Sequence, residues 1–281
     1  MNEPLAIPGY HCMSRRTKSQ IPPSGLDKGT WDYIREPAIA EGYDAGLAND
    51  PLTFQDQELV ARVLREIHCT ADTVVADFGC GTGRSVLPLL PLACQILALD
   101  LSTPMLEQLL SKLATRTDSE RRQLIAIQAN LLELDCLASQ SVDLGLCLYS
   151  TYGMLRGKLN RAKFLKHVVR ILKPQGRLVL HAHHLWWQLN FPGGLRWLVG
   201  NRLRSLFDSQ LEFGDRFADQ RTIRQLPIHS FRWNELLSEV RASGLELVET
   251  VPLIDSGGYR SWLVRLCQIQ AQGWTLVLRK P

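Results

Sequence analysis

None of the seven cysteines forms a Cys-x-x-Cys pair, and none falls in a His/Cys cluster with metal-ligand spacing. The signatures of a zinc ribbon and of a dithiol redox centre are therefore missing, and no metal site is expected. Cys94, Cys136 and Cys147 lie in apolar stretches, where a free thiol packs as a small hydrophobe. That pattern suggests a reducing compartment and a cytoplasmic protein. No uncharged apolar run reaches the ~18 residues that a membrane span requires. Met1-Asn2-Glu3-Pro4 has no basic segment leading into an apolar one, so no secretory signal is expected. Charge of one sign is not concentrated. The net +4 is too mild for a dedicated nucleic-acid surface. Repeats and low-complexity tracts are also missing.

What is there is a chain of 281 residues, 45% hydrophobic and 21% charged, able to bury a full core. Its length fits one large α/β domain with elaborations, or two small ones. Apolar runs at about Thr73–Ala76, Ile96–Leu99, Leu124–Gln128, Val142–Leu148 and Arg177–Ala182 read as strands. Helical stretches separate them. Phe54, Leu59, Val60, Val63, Leu64 and Ile67 recur at helical spacing after a capping-box-like Thr53-x-x-Asp56. Ser102 caps a helix with Pro104 in its first turn and with Met105, Leu106, Leu109, Leu110 and Leu113 on its inner side. A helix carrying Phe164, Leu165, Val168 and Leu172 opens at Asn160 and ends at Pro174 and Gly176. This alternation predicts an α/β fold, an open, doubly wound and mainly parallel sheet that binds ligand at the carboxyl ends of its strands.

The most informative stretch is Asp77-Phe78-Gly79-Cys80-Gly81-Thr82-Gly83. A strand, a glycine turn and a helix start form a nucleotide-cofactor cradle, with glycine allowing close backbone approach. The dinucleotide fingerprint is G-x-G-x-x-G, but here the third glycine comes one residue early. Asp77 precedes the loop, where its carboxylate would repel a pyrophosphate and suit a ligand bearing an ammonium and a sulfonium. S-adenosylmethionine has both and no phosphate. The phosphate-loop Lys-Ser/Thr is missing, Arg84-Ser85 standing at the wrong spacing. An NAD-dependent oxidoreductase and a non-catalytic S-adenosylmethionine-binding module are the alternatives that this loop leaves open.

Four places at strand ends carry a family resemblance: Asp77 to Gly83; Leu99-Asp100-Leu101-Ser102 with Met105-Leu106; Ala129-Asn130-Leu131; and Val142-Asp143 leading to Leu148-Tyr149. With these the chain resembles the class I S-adenosylmethionine-dependent methyltransferases of small-molecule type, over roughly residues 50–184 plus the late helix and strands. The resemblance implies that the backbone of Gly79, Cys80, Gly81 and Gly83 holds the methionine moiety, with Asp77 near its ammonium. Asp100 takes both ribose hydroxyls, Leu101 flanks the adenine, and Asn130, with Leu131 beside it, stands where the family often has an aspartate. Leu148 and Tyr149 floor the sulfonium region, and Tyr43 closes over the cofactor. The last strand, Trp274 to Leu278, is expected antiparallel, and the reaction is direct in-line methyl transfer.

The expected organisation is an N-terminal arm and helical cap (1–50), a cofactor-binding core (51–184), an insertion or lid over the acceptor site (185–230), and a helix and strands completing the sheet (231–281). His181 and His183 share a sheet face by the period of two, and His183 and His184 are candidates for a general base or acceptor contact. The cluster Trp186, Trp187, Phe191, Leu195, Trp197 and Leu198 reads as a packed cap, an apolar substrate lid, or a peripheral membrane contact aided by Arg196, Arg202 and Arg204. Arg216, Arg221 and Arg224 beside Asp215 and Asp219 read as a solvated, ion-paired surface or as a site for an anionic group. The expected partner is therefore a small-molecule acceptor, apolar or anionic, with no nucleic acid.

Overall fold

The computed structural model describes residues 22–23, 26–48, 51–92, 94–220, 223–253 and 271–281. Arg221 and the arm up to Ile21 lie outside the described residues.

Five apolar strands, β1 (Val74–Phe78), β2 (Gln95–Asp100), β3 (Leu124–Gln128), β4 (Val142–Cys147) and β5 (Leu172–His183), lie parallel in the order β3-β2-β1-β4-β5. Strand order reverses between β1 and β4, which opens a crevice at their carboxyl ends. A separate hairpin, β6 (Asp215–Gln220) and β7 (Ile223–His229), lies between β5 and the last two strands in the chain. β8 (Glu246–Leu253) and β9 (Gly273–Arg279) complete the seven-stranded sheet, β9 running antiparallel to β5 as expected.

The strands bury both faces because alternate side chains meet different helices. Helices α1 (Lys28–Arg35) and α2 (Pro37–Leu47) precede α3 (Pro51–Glu66) and, after β2, α4 (Thr103–Ala114). Val60, Val63 and Leu64 of α3, with Leu106 and Leu109 of α4, pack against Val75, Ile96, Ala98 and Val179. Beyond the short α5 (Asp118–Gln123) and α6 (Thr151–Met154) comes α7 (Lys158–Ile171). Phe164, Leu165 and Val168 of α7 cover Ala76, Phe78 and Leu178 on the opposite face. Leu236 and Val240 of α9 (Trp233–Ser243) join them. Each such side chain contributes about 1.5–3 kcal/mol of burial. Leu110 is exposed, so the inner face of α4 is narrower than the leucine spacing suggests.

Pro37 begins α2, since its fixed φ suits the first turn. α2 packs Ile39 and Ala40 with Met105 of α4 and Leu226 of β7. Ser102 Oγ donates to the Ile34 carbonyl at 2.6 Å, and Asp44 accepts from Thr82 Oγ1 at 2.5 Å and pairs with Lys112. These polar ties hold the N-terminal helices over the sheet's carboxyl edge. The segment after β5 forms a 3₁₀ stretch, Leu185–Asn190, and α8 (Gly194–Phe207) before the hairpin.

Two sequence readings are corrected. Asp56 does not cap α3, which begins earlier at Pro51; it is fully buried against the sheet. Asp215 is not on a solvated surface. It is buried and accepts from His229 Nδ1 at 2.7 Å. That contact belongs to a buried network centred on Arg161. The fully buried guanidinium contacts Glu239 at 2.7–3.2 Å and Glu212 at 2.8 Å. Tyr152 donates to Glu239 at 2.7 Å, and His229 Nε2 lies 3.1 Å from Glu235. Burial opposes the charge of His229, but Asp215 and Glu235 outweigh it and hold the imidazole above its ordinary range. The ligand atoms of Glu212, Asp215 and His229 lie within 4.8 Å of one another. Arg161 supplies their counter-charge.

The network joins α6, α7, α9 and the base of the hairpin, so losing its cation strands several carboxylates. Arg161→Ala is expected to destabilise the fold by about 3–5 kcal/mol, measured by equilibrium urea unfolding.

Candidate active site

The glycine loop is shaped by what presses on it. Gly79 and Cys80 both donate their amides to the Leu99 carbonyl, at 2.8 and 2.9 Å, tying the end of β1 to β2. Gly79, Gly81 and Gly83 all have positive φ, at 92°, 52° and 86°. A Cβ on Gly79 would lie 2.5 Å from Thr151 Cγ2, and one on Gly83 would lie 2.3 Å from Leu109 Cδ1. Gly83 is therefore a packing glycine against α4, while Gly79 and Gly81 border a cavity.

Asp100, at the end of β2, accepts from the Gly81 amide through Oδ2 and from the Ser102 amide through Oδ1, each at 2.8 Å. Burial raises its carboxyl above the ordinary range, and backbone amides partly offset this. Asp77 is buried, and its Oδ2 has no hydrogen-bond partner among the described residues. Burial and then the charge of Asp100 push the Asp77 pKa up to about 8.

The cavity holds about 310 Å³ at the carboxyl ends of the strands. Gly79, Gly81, Asp100, Leu101, Asn130 and Leu131 line it from the ends of β1, β2 and β3. His181 and His183 reach it from β5, and Tyr149 from the turn after β4. Ile34, Tyr43, Leu226 and Ile228 close it from α1, α2 and β7. Burial pushes the Tyr43 phenol up to about 12, against the pull of Arg84. The Arg84 guanidinium lies 5.7 Å from the Tyr43 ring and 4.3 Å from the Tyr149 ring. Arg84 gave no sequence signal beyond following the loop. Asn130 Oδ1 accepts from the Leu132 amide at 3.0 Å.

Some nominated residues lie elsewhere. Cys80 and Leu148 are buried beneath the cavity, in the core on the α3 face. His184 is removed from the cavity. Its ring lies 4.2 Å from Trp274, Nδ1 is 3.3 Å from the Ala271 carbonyl, and it borders a surface pocket with Trp186 and Arg232. One residue past His183, the side chain turns to the other side of the sheet. Burial lowers the His184 pKa to about 4. His183 is held down to about 3 by burial, then by His181 and Arg216.

The structure adds a pair that was not paired in the sequence. His181 Nδ1 lies 2.8 Å from Asp56 Oδ2, and Asp56 Oδ1 accepts from Thr275 Oγ1 at 2.8 Å. His181 and Asp56 are 1% and 0% exposed, so the pair is sealed on the protein side. The alternation placed His181 beside His183, but nothing local pointed to Asp56, 125 residues away.

With this geometry, comparison with known proteins is direct. Residues 76–180 match the sequence model of a family described as a methyltransferase domain. No curated protein matches the chain. Among solved structures, the CcbJ methyltransferase of Streptomyces caelestis is similar at 21% identity and TM-score 0.58, covering 86% of this chain and 96% of that one. A SAM-dependent methyltransferase of Methanosarcina mazei is similar at 16% identity and TM-score 0.59, covering 77% and 96%. A third, 1,6-didemethyltoxoflavin-N1-methyltransferase of Burkholderia thailandensis, solved with 1,6-didemethyltoxoflavin and S-adenosylhomocysteine, shows 14% identity and TM-score 0.57, covering 92% and 93%. The fold and the sheet order are those of these S-adenosylmethionine-dependent methyltransferases, and residues 76–180 match the methyltransferase domain. The neighbours so described act with S-adenosylmethionine, the cofactor that accompanies this domain in them.

Adding a methyl group to Gly79 forces Thr151 aside and strains a positive φ. Gly79→Ala is expected to cost about 1–3 kcal/mol. Thermal unfolding measures the loss, and Thr151→Ala in the same chain should recover part of it.

Proposed function

We propose that the protein transfers a methyl group from S-adenosylmethionine to a small-molecule acceptor held between the glycine loop and the histidine end of the cavity. One observation supports this most. Two carboxylates, Asp77 and Asp100, converge behind and beside a glycine loop, and one Asp77 oxygen is buried with no partner among the described residues. A bound ammonium satisfies that oxygen, so the residues present fit the cofactor. A dinucleotide would bring a pyrophosphate against the same acid, which is repulsive.

S-adenosylmethionine supplies a methyl group already activated on a sulfonium, so the protein needs no nucleophile of its own. Its residues bind, align and exclude water. The amides of the Gly79–Gly83 loop and Asp77 hold the amino-acid end. Asp100, anchored by the Gly81 and Ser102 amides, presents a carboxylate whose oxygens each carry more than one lone pair and can accept from two hydroxyls. Asn130 and Leu101 border the purine. Tyr43, backed by Arg84, closes the roof.

The acceptor side favours an apolar partner over an anionic one. Ile34, Leu52, Met105, Met154, Leu155 and Leu226 line the cavity, and among the described residues no Lys or Arg does. The Burkholderia neighbour's didemethyltoxoflavin is likewise a small molecule.

Calorimetric titration with S-adenosylmethionine tests the reading. Asp100→Ala should weaken binding about 30- to 100-fold, the effect of two lost charge-assisted hydrogen bonds. An affinity within twofold of the parent would overturn the assignment. Asp77 adds a pH signature. Free Asp77, at about 8, is mostly protonated at neutral pH, and pairing with an ammonium requires the ionised form. Affinity should therefore rise as pH rises toward about 8, with proton release at neutral pH. Titrations in buffers of different ionisation heat measure that release, and Asp77→Asn should abolish it.

A further inference from the structure

We propose that Asp56 and His181 form a proton-accepting dyad, and that the acceptor carries an acidic hydroxyl on an apolar frame. This rests on the methyl-transfer reading above and specifies its acceptor end.

The geometry carries it. Asp56 accepts from His181 at Nδ1, which leaves Nε2 as the ring's basic nitrogen. His181 borders the cavity, and its Nε2 is buried with no hydrogen-bond partner among the described residues. A buried basic nitrogen without a partner costs about 1–3 kcal/mol unless something donates to it. An acceptor hydroxyl entering the cavity is such a donor. Asp56 is itself fixed from two sides, by His181 on β5 and by Thr275 on β9, so the imidazole is held in one orientation.

The choice of His181 over His183 follows from charge. The two rings stand edge to face, their centroids 5.2 Å apart, so protonating one disfavours the other. His183 is buried, has no carboxylate partner among the described residues, and feels the positive charge of Arg216. His181 has Asp56 to compensate an added proton. The Tyr149 ring lies 6.3 Å from His181, with the Arg84 guanidinium 4.3 Å from that ring. With Arg216 beyond His183, this end of the cavity suits a group that becomes an anion.

The step balances. The acceptor O–H bond breaks and its proton passes to His181 Nε2. The oxygen lone pair forms the bond to the methyl carbon as the carbon–sulfur bond breaks. The departing electron pair stays on sulfur, giving the neutral thioether S-adenosylhomocysteine. The imidazolium, paired with Asp56, later returns its proton to water.

The test uses the full chain with S-adenosylhomocysteine added and 4-nitrophenol as probe, because its yellow phenolate band reports proton transfer without turnover. At about pH 6 the bound phenolate fraction should be about tenfold higher in the parent than in His181→Gln. Asp56→Asn, a change at a positioning residue, should move the pH midpoint of the band upward by about one unit. His183→Gln should leave the midpoint in place. Nitrogen-15 spectra of the free protein should show His181 protonated at Nδ1 and bare at Nε2. Equal bands in the parent and His181→Gln, no phenolate in the parent, or a proton on Nε2 would each overturn the dyad. A structural pin between α3 and the sheet would leave the midpoint unmoved in Asp56→Asn. If that variant does not fold, the His181→Gln comparison still decides. Calorimetry separates the two failures: retained S-adenosylmethionine binding with no phenolate band removes only the dyad, and no binding by the parent removes the methyl-transfer reading itself.

Discussion

The carboxylate of Asp100 joins two loops that would otherwise be independent. One oxygen takes the Gly81 amide from the end of β1, and the other takes the Ser102 amide at the start of α4. Both bonds are charge-assisted, and both sit where protein has displaced much of the water, which raises the cost of the charge and the strength of the bonds together. The glycine loop therefore holds its shape before any ligand arrives. Asp77 lies behind it and is driven toward its neutral form by burial and by Asp100. The sheet's carboxyl edge thus stores an electrostatic deficit that a cation relieves, and the fold places that deficit at the point where strand order reverses.

The rest of the chain closes this edge. The N-terminal helices are tied down by short polar contacts, Ser102 to Ile34 and Asp44 to Thr82, beside the apolar packing of Ile39 and Ala40 on Met105 and Leu226. The hairpin is held at its base by the buried charges around Arg161. Gly153 lets the two surfaces meet, since a Cβ there would lie 2.6 Å from the His229 carbonyl oxygen.

Much of the core was legible because its signals are local. The strands β2, β3 and β4 fall on their apolar runs, and α9 falls within the 231–281 stretch expected to hold a helix. Glycines at alternating positions after an acid marked the loop, and Asp100 followed at the expected distance. Other readings failed where a residue's partner is remote. Thr53-x-x-Asp56 matched a helix cap in spacing, yet α3 starts earlier and Asp56 serves the sheet. Asp215 and Arg216 looked like a surface pair, because nothing in their neighbourhood announces that His229 and Arg161 bury that region.

The sequence by itself determined the alternation of strands and helices, the glycine loop with its two acids, and the sheet face shared by His181 and His183, because periodicity and backbone sterics act over a few residues. Only the tertiary structure decided that His184 turns away, that Gly83 packs while Gly79 and Gly81 border the cavity, and that Asp56 meets His181. Those outcomes depend on which helix covers which face of the sheet, and contacts between residues 125 positions apart are set by packing rather than by local propensity.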